Sequence, residues 1–309
     1  MSNLFWRGKR VLVTGALGLI GRPVCRMLEA AHAEVYRYDI APGGEGHDGD
    51  ILDMAALLRT FETYRPTVVI HLAALSNVGQ CRPMPRRTFE VIALGTVNVL
   101  EACRLFPVWA VVTASSNHVY GLQMTRPPWD EKARLNHLDA YPVSKICADY
   151  MARAYAAVYR VPTAILRNTN CFGPDDPHMD HIVPSAIMAL MDGKPVVLRS
   201  DGMVRKAYLY VEDVAEAYVM TARWLAERWE HGEAFNVSGT PVTAVEIVER
   251  IAGIMGVKAK ITTGEYDPLQ YDEFLNDRKI RKVVGWKPRH TLDEGLRKTI
   301  DGFRARYGK

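Results

Sequence analysis

A short strand-like run, Arg10-Val11-Leu12-Val13-Thr14, leads directly into Gly15, and glycines recur at 18 and 21. In Thr14-Gly15-Ala16-Leu17-Gly18-Leu19-Ile20-Gly21 each glycine has its own physical reason. The first permits a tight turn, the second lets backbone approach a pyrophosphate, and the third lets the next helix pack closely on its strand. The start of that helix offers unpaired N–H groups and the positive end of its dipole to an anion. Gly15, Gly18, Leu19, Ile20 and Gly21 are therefore candidates for holding a dinucleotide.

An acid at the end of the second strand strengthens that reading. Asp39 lies 18 residues after Gly21. Its carboxylate can accept hydrogen bonds from a ribose diol and would repel a 2′-phosphate, which favours NAD over NADP. Arg37 lies close enough in sequence to soften the repulsion. Asp50 and Ile51, after a glycine-rich loop over residues 41–49, are placed to flank the adenine.

Strand and helix patterns alternate along the first half. Strands are expected at 10–14, 34–39, 67–72, 109–115 and 162–167, and helices at 19–31, 54–64, 88–104 and 140–159. Such alternation predicts an α/β fold with a Rossmann-type doubly wound parallel sheet. Past residue 170 the elements become shorter and more mixed, with helices at 183–191, 211–226 and 244–255. The division expected is a dinucleotide-binding domain over residues 1–170 that carries the catalytic residues. A smaller mixed α/β substrate-binding portion over 171–309 follows, with some return to the first domain around 205–230. Ligands of open α/β sheets bind at the carboxyl edge of the strands, where this second portion would form a cap.

Tyr141-Pro142-Val143-Ser144-Lys145 sets a phenol and an ammonium four residues apart, on one face of a helix. A neighbouring cation lowers a phenol pKa. A phenolate so placed can take a hydroxyl proton while hydride leaves the carbon for nicotinamide. The preceding strand ends in Thr113-Ala114-Ser115-Ser116-Asn117-His118-Val119-Tyr120-Gly121. A hydroxyl there can orient the reacting oxygen.

Together the glycine turn, His71-Leu72-Ala73-Ala74, Ser115 to Gly121 and Tyr141 to Lys145 resemble the extended short-chain dehydrogenase/reductases, which include NAD-dependent nucleotide-sugar epimerases and dehydratases. The resemblance implies that Ser116, Tyr141 and Lys145 are catalytic and that Leu72, Ala73, Ala74 and Lys145 line the cofactor site. It continues through Arg167-Asn168-Thr169-Asn170-Cys171-Phe172-Gly173-Pro174, which maps an asparagine touching a sugar-nucleotide diphosphate onto Asn170. Residues 201–213 and the closing Gly285-Trp286-Lys287-Pro288 extend it over nearly the whole chain. The second half looks closest to CDP-glucose 4,6-dehydratase-like proteins. The resemblance also implies a homodimer formed through helices 88–104 and 140–159; Met151 and Tyr155 would lend it apolar surface, and core packing accounts for them equally well.

Four departures from the family pattern bear on chemistry. Dehydratases of this group carry acids, or Asp-Lys, after the catalytic hydroxyl, whereas this chain has Asn117 and His118. Asparagine has no proton to give as an acid; histidine can act as acid or base near neutrality. That shifts the expectation towards oxidation at C4 of a nucleotide-hexose and return of the hydride to the other face, with His118 kept as a candidate catalytic base. Lys206-Ala207 stands where Arg-Asp is usual, leaving Arg205 and Lys206 as alternatives for the diphosphate. Ile92 replaces an asparagine of the fourth helix, implying altered packing. Finally, Ser115 to His118 is also similar to uronate dehydrogenases, so a dehydrogenase of a free sugar acid is the second reading. A non-catalytic dinucleotide-binding regulator is the third.

Ser76 and Asn117 are candidate sugar contacts. His178, His181, Asp176 and Asp180 form a metal-like group, but no metal is expected there. Tyr218, Trp224 and Trp229 read as packing residues, and Arg86-Arg87 and residues 278–282 as solvated charge. The formal charge of +4 is scattered, so no nucleic-acid partner is expected. No segment reads as a signal peptide and no run approaches a membrane span. The five cysteines form no CxxC pair, which points to a reduced, cytoplasmic protein.

Overall fold

The computed structural model describes residues 4–41, 47–228, 231–266 and 271–308. Trp229 and most of the glycine-rich stretch after Asp39 lie outside them. The first half runs β1 (Arg10–Thr14), α1 (Gly21–Ala30), β2 (Glu34–Asp39), β3 (His47–Asp48), α2 (Met54–Tyr64) and β4 (Val68–His71). Then come α3 (Val78–Cys81), α4 (Pro85–Phe89), α5 (Gly95–Leu105), β5 (Ala110–Ser116), α6 (Ala140–Tyr159) and β6 (Thr163–Asn168). The second half holds β7 (Asn170–Phe172), α7 (Ile182–Met191), β8 (Val196–Val197), β9 (Arg205–Tyr210), α8 (Val211–Arg228) and β10 (Glu233–Val237). It closes with β11 (Thr240–Thr243), α9 (Ala244–Met255), β12 (Ile261–Thr262), α10 (Arg278–Val283) and α11 (Leu292–Tyr307).

The main sheet has the order β3–β2–β1–β4–β5–β6–β10 and every pairing in it is parallel. This is the Rossmann-type architecture expected. Period-two alternation divides its core. Val11, Val13, Val68, Ile70, Val112 and Leu166 face α1 and α8 on one side. Leu12, Val69, Val111 and Ile165 face α2 and α5 on the other. Strand order reverses between β1 and β4, and that switch point is where the crevice opens.

Residues 211–237 complete this layer: α8 packs on α1, and β10 pairs with β6. The sequence pattern does not mark β10. Its run Glu-Ala-Phe-Asn-Val carries a buried asparagine, and Asn236 bonds the Tyr120 hydroxyl and the Trp129 carbonyl. Tyr218 and Trp224 are core residues. The rest of the second half forms a three-stranded sheet, β11–β9–β7, and a two-strand pair, β12–β8. Its apolar cluster joins α7, α9 and α11, and Leu19 and Ile20 of the glycine turn pack against it. The cap therefore rests on the turn at the carboxyl edge.

The continuous helix expected at 88–104 is divided. A π-helical turn, Glu90–Leu94, separates α4 from α5. Ile92 sits in it, buried against Tyr141, Cys81 and Ala148, and Thr96 Oγ1 donates to its carbonyl at 2.6 Å. Inserted π turns recur at functional sites; here one seats an apolar residue against a catalytic candidate.

Candidate active site

Gly15 has φ +69°, and a Cβ there would lie 2.6 Å from the Ala73 nitrogen, just past the end of β4. A Cβ on Gly21 would strike the Gly15 carbonyl and lie 2.8 Å from Ala16. The turn is thus pressed against the sheet edge as the sequence requires. Thr14 fastens it: its hydroxyl accepts from the Ala73 nitrogen at 3.3 Å and meets His71 Nδ1 at 2.7 Å. His71 also bonds Thr96 through Nε2 at 3.0 Å; burial pushes its pKa down to about 3, so it is neutral. The start of α1 has no side-chain cap and no acid in its first turn; Arg22 N and Val24 N bond the Gly18 and Ile20 carbonyls, so the positive end of the helix, rather than a full set of free N–H groups, faces a phosphate. Asp39 accepts from Leu17 N at 2.9 Å and Ala41 N at 3.0 Å, holding its carboxylate beside the turn. These features fit a dinucleotide. Arg37 makes two hydrogen bonds to Glu29, at 2.8 and 2.9 Å. Asp39→Ser should raise the NADP-to-NAD preference by about tenfold or more, a change of ~1.4 kcal/mol in relative affinity; titrating both cofactors checks it.

Asp50 accepts from Leu52 N at 2.9 Å and stands 3.6 Å from Arg87. Ile51 is buried in the core against Gly95. Only its backbone is therefore left to face an adenine. Leu72 N donates to the Thr14 carbonyl at 3.0 Å, and Ala74 packs on the cluster around Tyr141.

The catalytic candidates converge. Ser116 ends β5, is buried, and accepts from His118 N at 3.2 Å. Tyr141 enters on the first turn of α6, capped by Asp139, whose side chain accepts from Ala140 N at 2.7 Å. Tyr141 lies close enough to Ser116 for the hydroxyl to favour its phenolate. Lys145, one turn later and also buried, donates to the Ala114 carbonyl at 2.8 Å. The expected lowering of the phenol pKa is reversed here. Burial pushes Tyr141 up to about 12, opposed by the Ser116 hydroxyl. The same burial brings Lys145 down to about 8. Ile92, seated by the π turn, supplies part of the apolar wall responsible.

Beside this set lies a group that the sequence does not foreshadow. His118 Nδ1 is 3.0 Å from Glu273 Oε1, and the His118 and Tyr141 rings stand nearly perpendicular at 6.2 Å. Glu273 is buried, yet its carboxyl is held below the usual range: burial would raise it, but His118, Lys206 and His137 outweigh burial. An acid in the irregular segment before α10 carries no sequence signal; only its backbone pairing beside Lys206 brings it here.

The remaining candidates divide. Arg205 is exposed and bound to Asp272 through Nε and a terminal nitrogen, at 2.9 and 2.6 Å. Lys206, its alternate neighbour on β9, acts on Glu273. Strand alternation therefore turns Lys206, not Arg205, towards the cleft. Asn170 Nδ2 donates to the Ala207 carbonyl at 3.3 Å. Asn117 is buried with Nδ2 unpartnered among the described residues. Ser76 Oγ meets His178 at 3.1 Å, Asn77 holds both oxygens of Asp180, and His181 pairs with Asp176 at 3.0 Å. That group ties the loop after β4 to the loop before α7.

The model of the NAD-dependent epimerase/dehydratase family matches residues 11–238. The chain belongs to this family. Curated relatives include a UDP-glucose 4-epimerase of Mycolicibacterium smegmatis, 31% identical, covering 96% of this chain and 98% of its own length. A dTDP-glucose 4,6-dehydratase of Neisseria meningitidis is 29% identical over 96% of this chain and 93% of its own. Among solved structures, UDP-glucose 4-epimerase of Thermus thermophilus, in complex with NAD, superimposes with a TM-score of 0.85 at 30% identity. It covers 96% of this chain and 99% of its own. Membership in this epimerase/dehydratase family makes the protein an NAD-dependent enzyme and fits the glycine turn and Asp39 as the cofactor site.

Proposed function

We propose that this enzyme oxidises C4 of a nucleotide-diphosphate hexose transiently, isomerises the sugar and restores the hydride within one turnover. The carrying observation is the convergence of Ser116, Tyr141 and Lys145 at the crevice edge beside the glycine turn. Gly15, Gly18, Leu19, Ile20, Gly21 and Asp39 would hold NAD, which supplies the hydride acceptor and donor when bound. Ser116 Oγ orients the C4 hydroxyl, and the Tyr141 phenolate oxygen takes its proton. Lys145, fixed by its anchor on the Ala114 carbonyl, is assigned to balance the charge that develops on the phenol as the proton moves. Asn170 and Lys206 are assigned to the substrate diphosphate, Ser76 and Asn117 to the sugar.

Isomerisation is preferred to dehydration because Asn117 has no proton to offer a departing hydroxyl. Incubating the protein with UDP-, CDP-, GDP- and dTDP-hexoses and weighing the products tests this. A new isomer of unchanged mass is expected; loss of one water would establish a dehydratase, and accumulating NADH a net dehydrogenase.

A homodimer is proposed through α5 and α6. Of the two roles open to Tyr155, interface surface or core packing, the second is supported: it is buried in the monomer core and bonds Glu101 at 3.1 Å. Phe89, Leu94, Tyr150 and Val158, on or next to these helices, are exposed and apolar. No described helix is long and apolar enough to cross a membrane, and five free cysteines support a reducing, cytoplasmic setting.

A further inference from the structure

The loop after β4 has two sides. Ala74, Leu75 and Val78 pack on the cluster of Cys81, Ile92, Tyr141 and Ala148, so its apolar side chains lie against the catalytic phenol. Ser76 and Asn77 instead bond the loop before α7. We propose that His178 and Asp180, on that second loop, are positioning residues that hold Ser76 and its neighbours in place for the sugar. This deepens the function proposed above and rests on it, because Ser76 is assigned there to the sugar.

Two ties join the loops, across 102 and 103 residues of chain. Ser76 Oγ meets His178 Nε2 at 3.1 Å. Asn77 Nδ2 donates to both oxygens of Asp180, at 2.8 and 3.0 Å. Asn77 is 3% exposed, and its own Oδ1 accepts from Gln80 N at 3.1 Å, capping α3. Its amide therefore links the start of α3 to Asp180, and a shift of one moves the other.

The second loop is itself fixed from several directions. Asp175 pairs with Arg26 of α1 at 3.7 Å and with Arg306 of α11 at 2.5 Å. Arg199 donates to the Asp180 carbonyl at 3.1 Å and approaches its carboxylate at 3.4 Å. His181 Nδ1 lies 3.0 Å from the buried Asp176. Two imidazoles and three acids crowd residues 175–181, yet among the described residues no three such groups are placed to hold one metal ion. Each is engaged by a protein partner. A segment anchored to α1 and α11 and bonded to the loop beside Tyr141 can set that loop's position.

The His178 tie is sensitive to acid. Its ring lies 4.8 Å from that of His181, and Asp176 and Asp180 are the carboxylates near it. Ser76 and Asn77, from the loop after β4, bring no charge, and Arg199 acts on Asp180. Burial, then His181, hold the His178 pKa below its ordinary value against the two acids. The tied loop thus binds fewer protons than a released one. The tie is complete above the usual histidine range and is lost as pH falls through the lowered value.

Steady-state kinetics with whichever UDP-, CDP-, GDP- or dTDP-hexose reacts, paired with amide hydrogen exchange over residues 76–81, tests the assignment. Asp180→Ala should raise KM for that hexose about tenfold and leave kcat and NAD affinity within about twofold. Exchange over 76–81 should quicken in the same variant. Asp180→Asn keeps an acceptor for Asn77 and should restore part of the KM. In the native enzyme KM should rise as pH falls from about 8 to about 5.5. His178→Gln keeps a hydrogen-bonding amide but cannot take up a proton in this range, and should flatten that rise. Native KM and native exchange in Asp180→Ala, or an unchanged pH profile in His178→Gln, would overturn the proposal. So would a joint loss of kcat and NAD affinity that Asp180→Asn does not repair, the mark of a merely structural contact. Faster exchange in Asp180→Ala, with no nucleotide hexose turned over by the native enzyme, would instead overturn the function on which the sugar role rests.

Discussion

Tyr141→Phe should lower turnover of the nucleotide hexose by about 10²–10⁴-fold, the usual contribution of a positioned acid–base group, with NAD binding intact. The substitution removes one oxygen and leaves the ring in its cluster with Cys81, Ile92 and Ala148. Ser116 loses the neighbouring phenol oxygen and keeps its bond from His118 N. The glycine turn and Asp39 are untouched. Rate and affinity should therefore separate: kcat collapses while the NAD affinity measured by calorimetric titration stays within about twofold, well under 1 kcal/mol. A variant with near-native kcat would remove Tyr141 from the mechanism.

A second large effect is expected at a distance from the chemistry. Asp149 on α6 and Arg167 on β6 are both fully buried. Arg167 donates to both Asp149 oxygens, at 2.9 and 3.0 Å, and to the Tyr120 hydroxyl at 2.9 Å. That hydroxyl in turn donates to Asn236 at 2.6 Å. One network thus joins the catalytic helix to β6, to the turn after β5 and to β10. Asp149→Ala would strand a guanidinium in the core and should cost about 3–5 kcal/mol of unfolding free energy. Replacing both partners, Asp149→Leu with Arg167→Met, should recover much of it, because the isolated charge is then gone. Urea denaturation of the native protein and both variants checks the two statements; a single-variant loss below about 1 kcal/mol would mean that solvent reaches the site.

What the sequence reveals depends on whether a feature is local. The bounds of β1, β2, α2, α6 and α9 coincide with their expected spans, since each is written in its own periodicity. The glycine turn and the Ser116, Tyr141 and Lys145 spacing are equally local. The features that escape the sequence come from pairings distant along the chain. Glu273 reaches His118 across 155 residues only because its backbone lies along β9. Arg205 and Lys206 are equivalent in the sequence, and only the fold distinguishes them, by pairing Arg205 with Asp272. The direction of the Tyr141 shift runs against the local expectation because burial outweighs the opposing effect of Ser116, and burial is a property of the assembled fold. One further element is legible locally: Thr291 and Glu294 form a capping box at the start of α11, a Thr-x-x-Glu signal written in the sequence.

The central claim is that hydride leaves C4 and returns to C4 within one active site. A nucleotide hexose of the reacting class, synthesised with deuterium at C4, tests it directly when its product is examined by NMR. Deuterium should remain at C4 in the isomerised sugar, with no NADH released. Deuterium lost to solvent, or NADH accumulating in step with product, would contradict it.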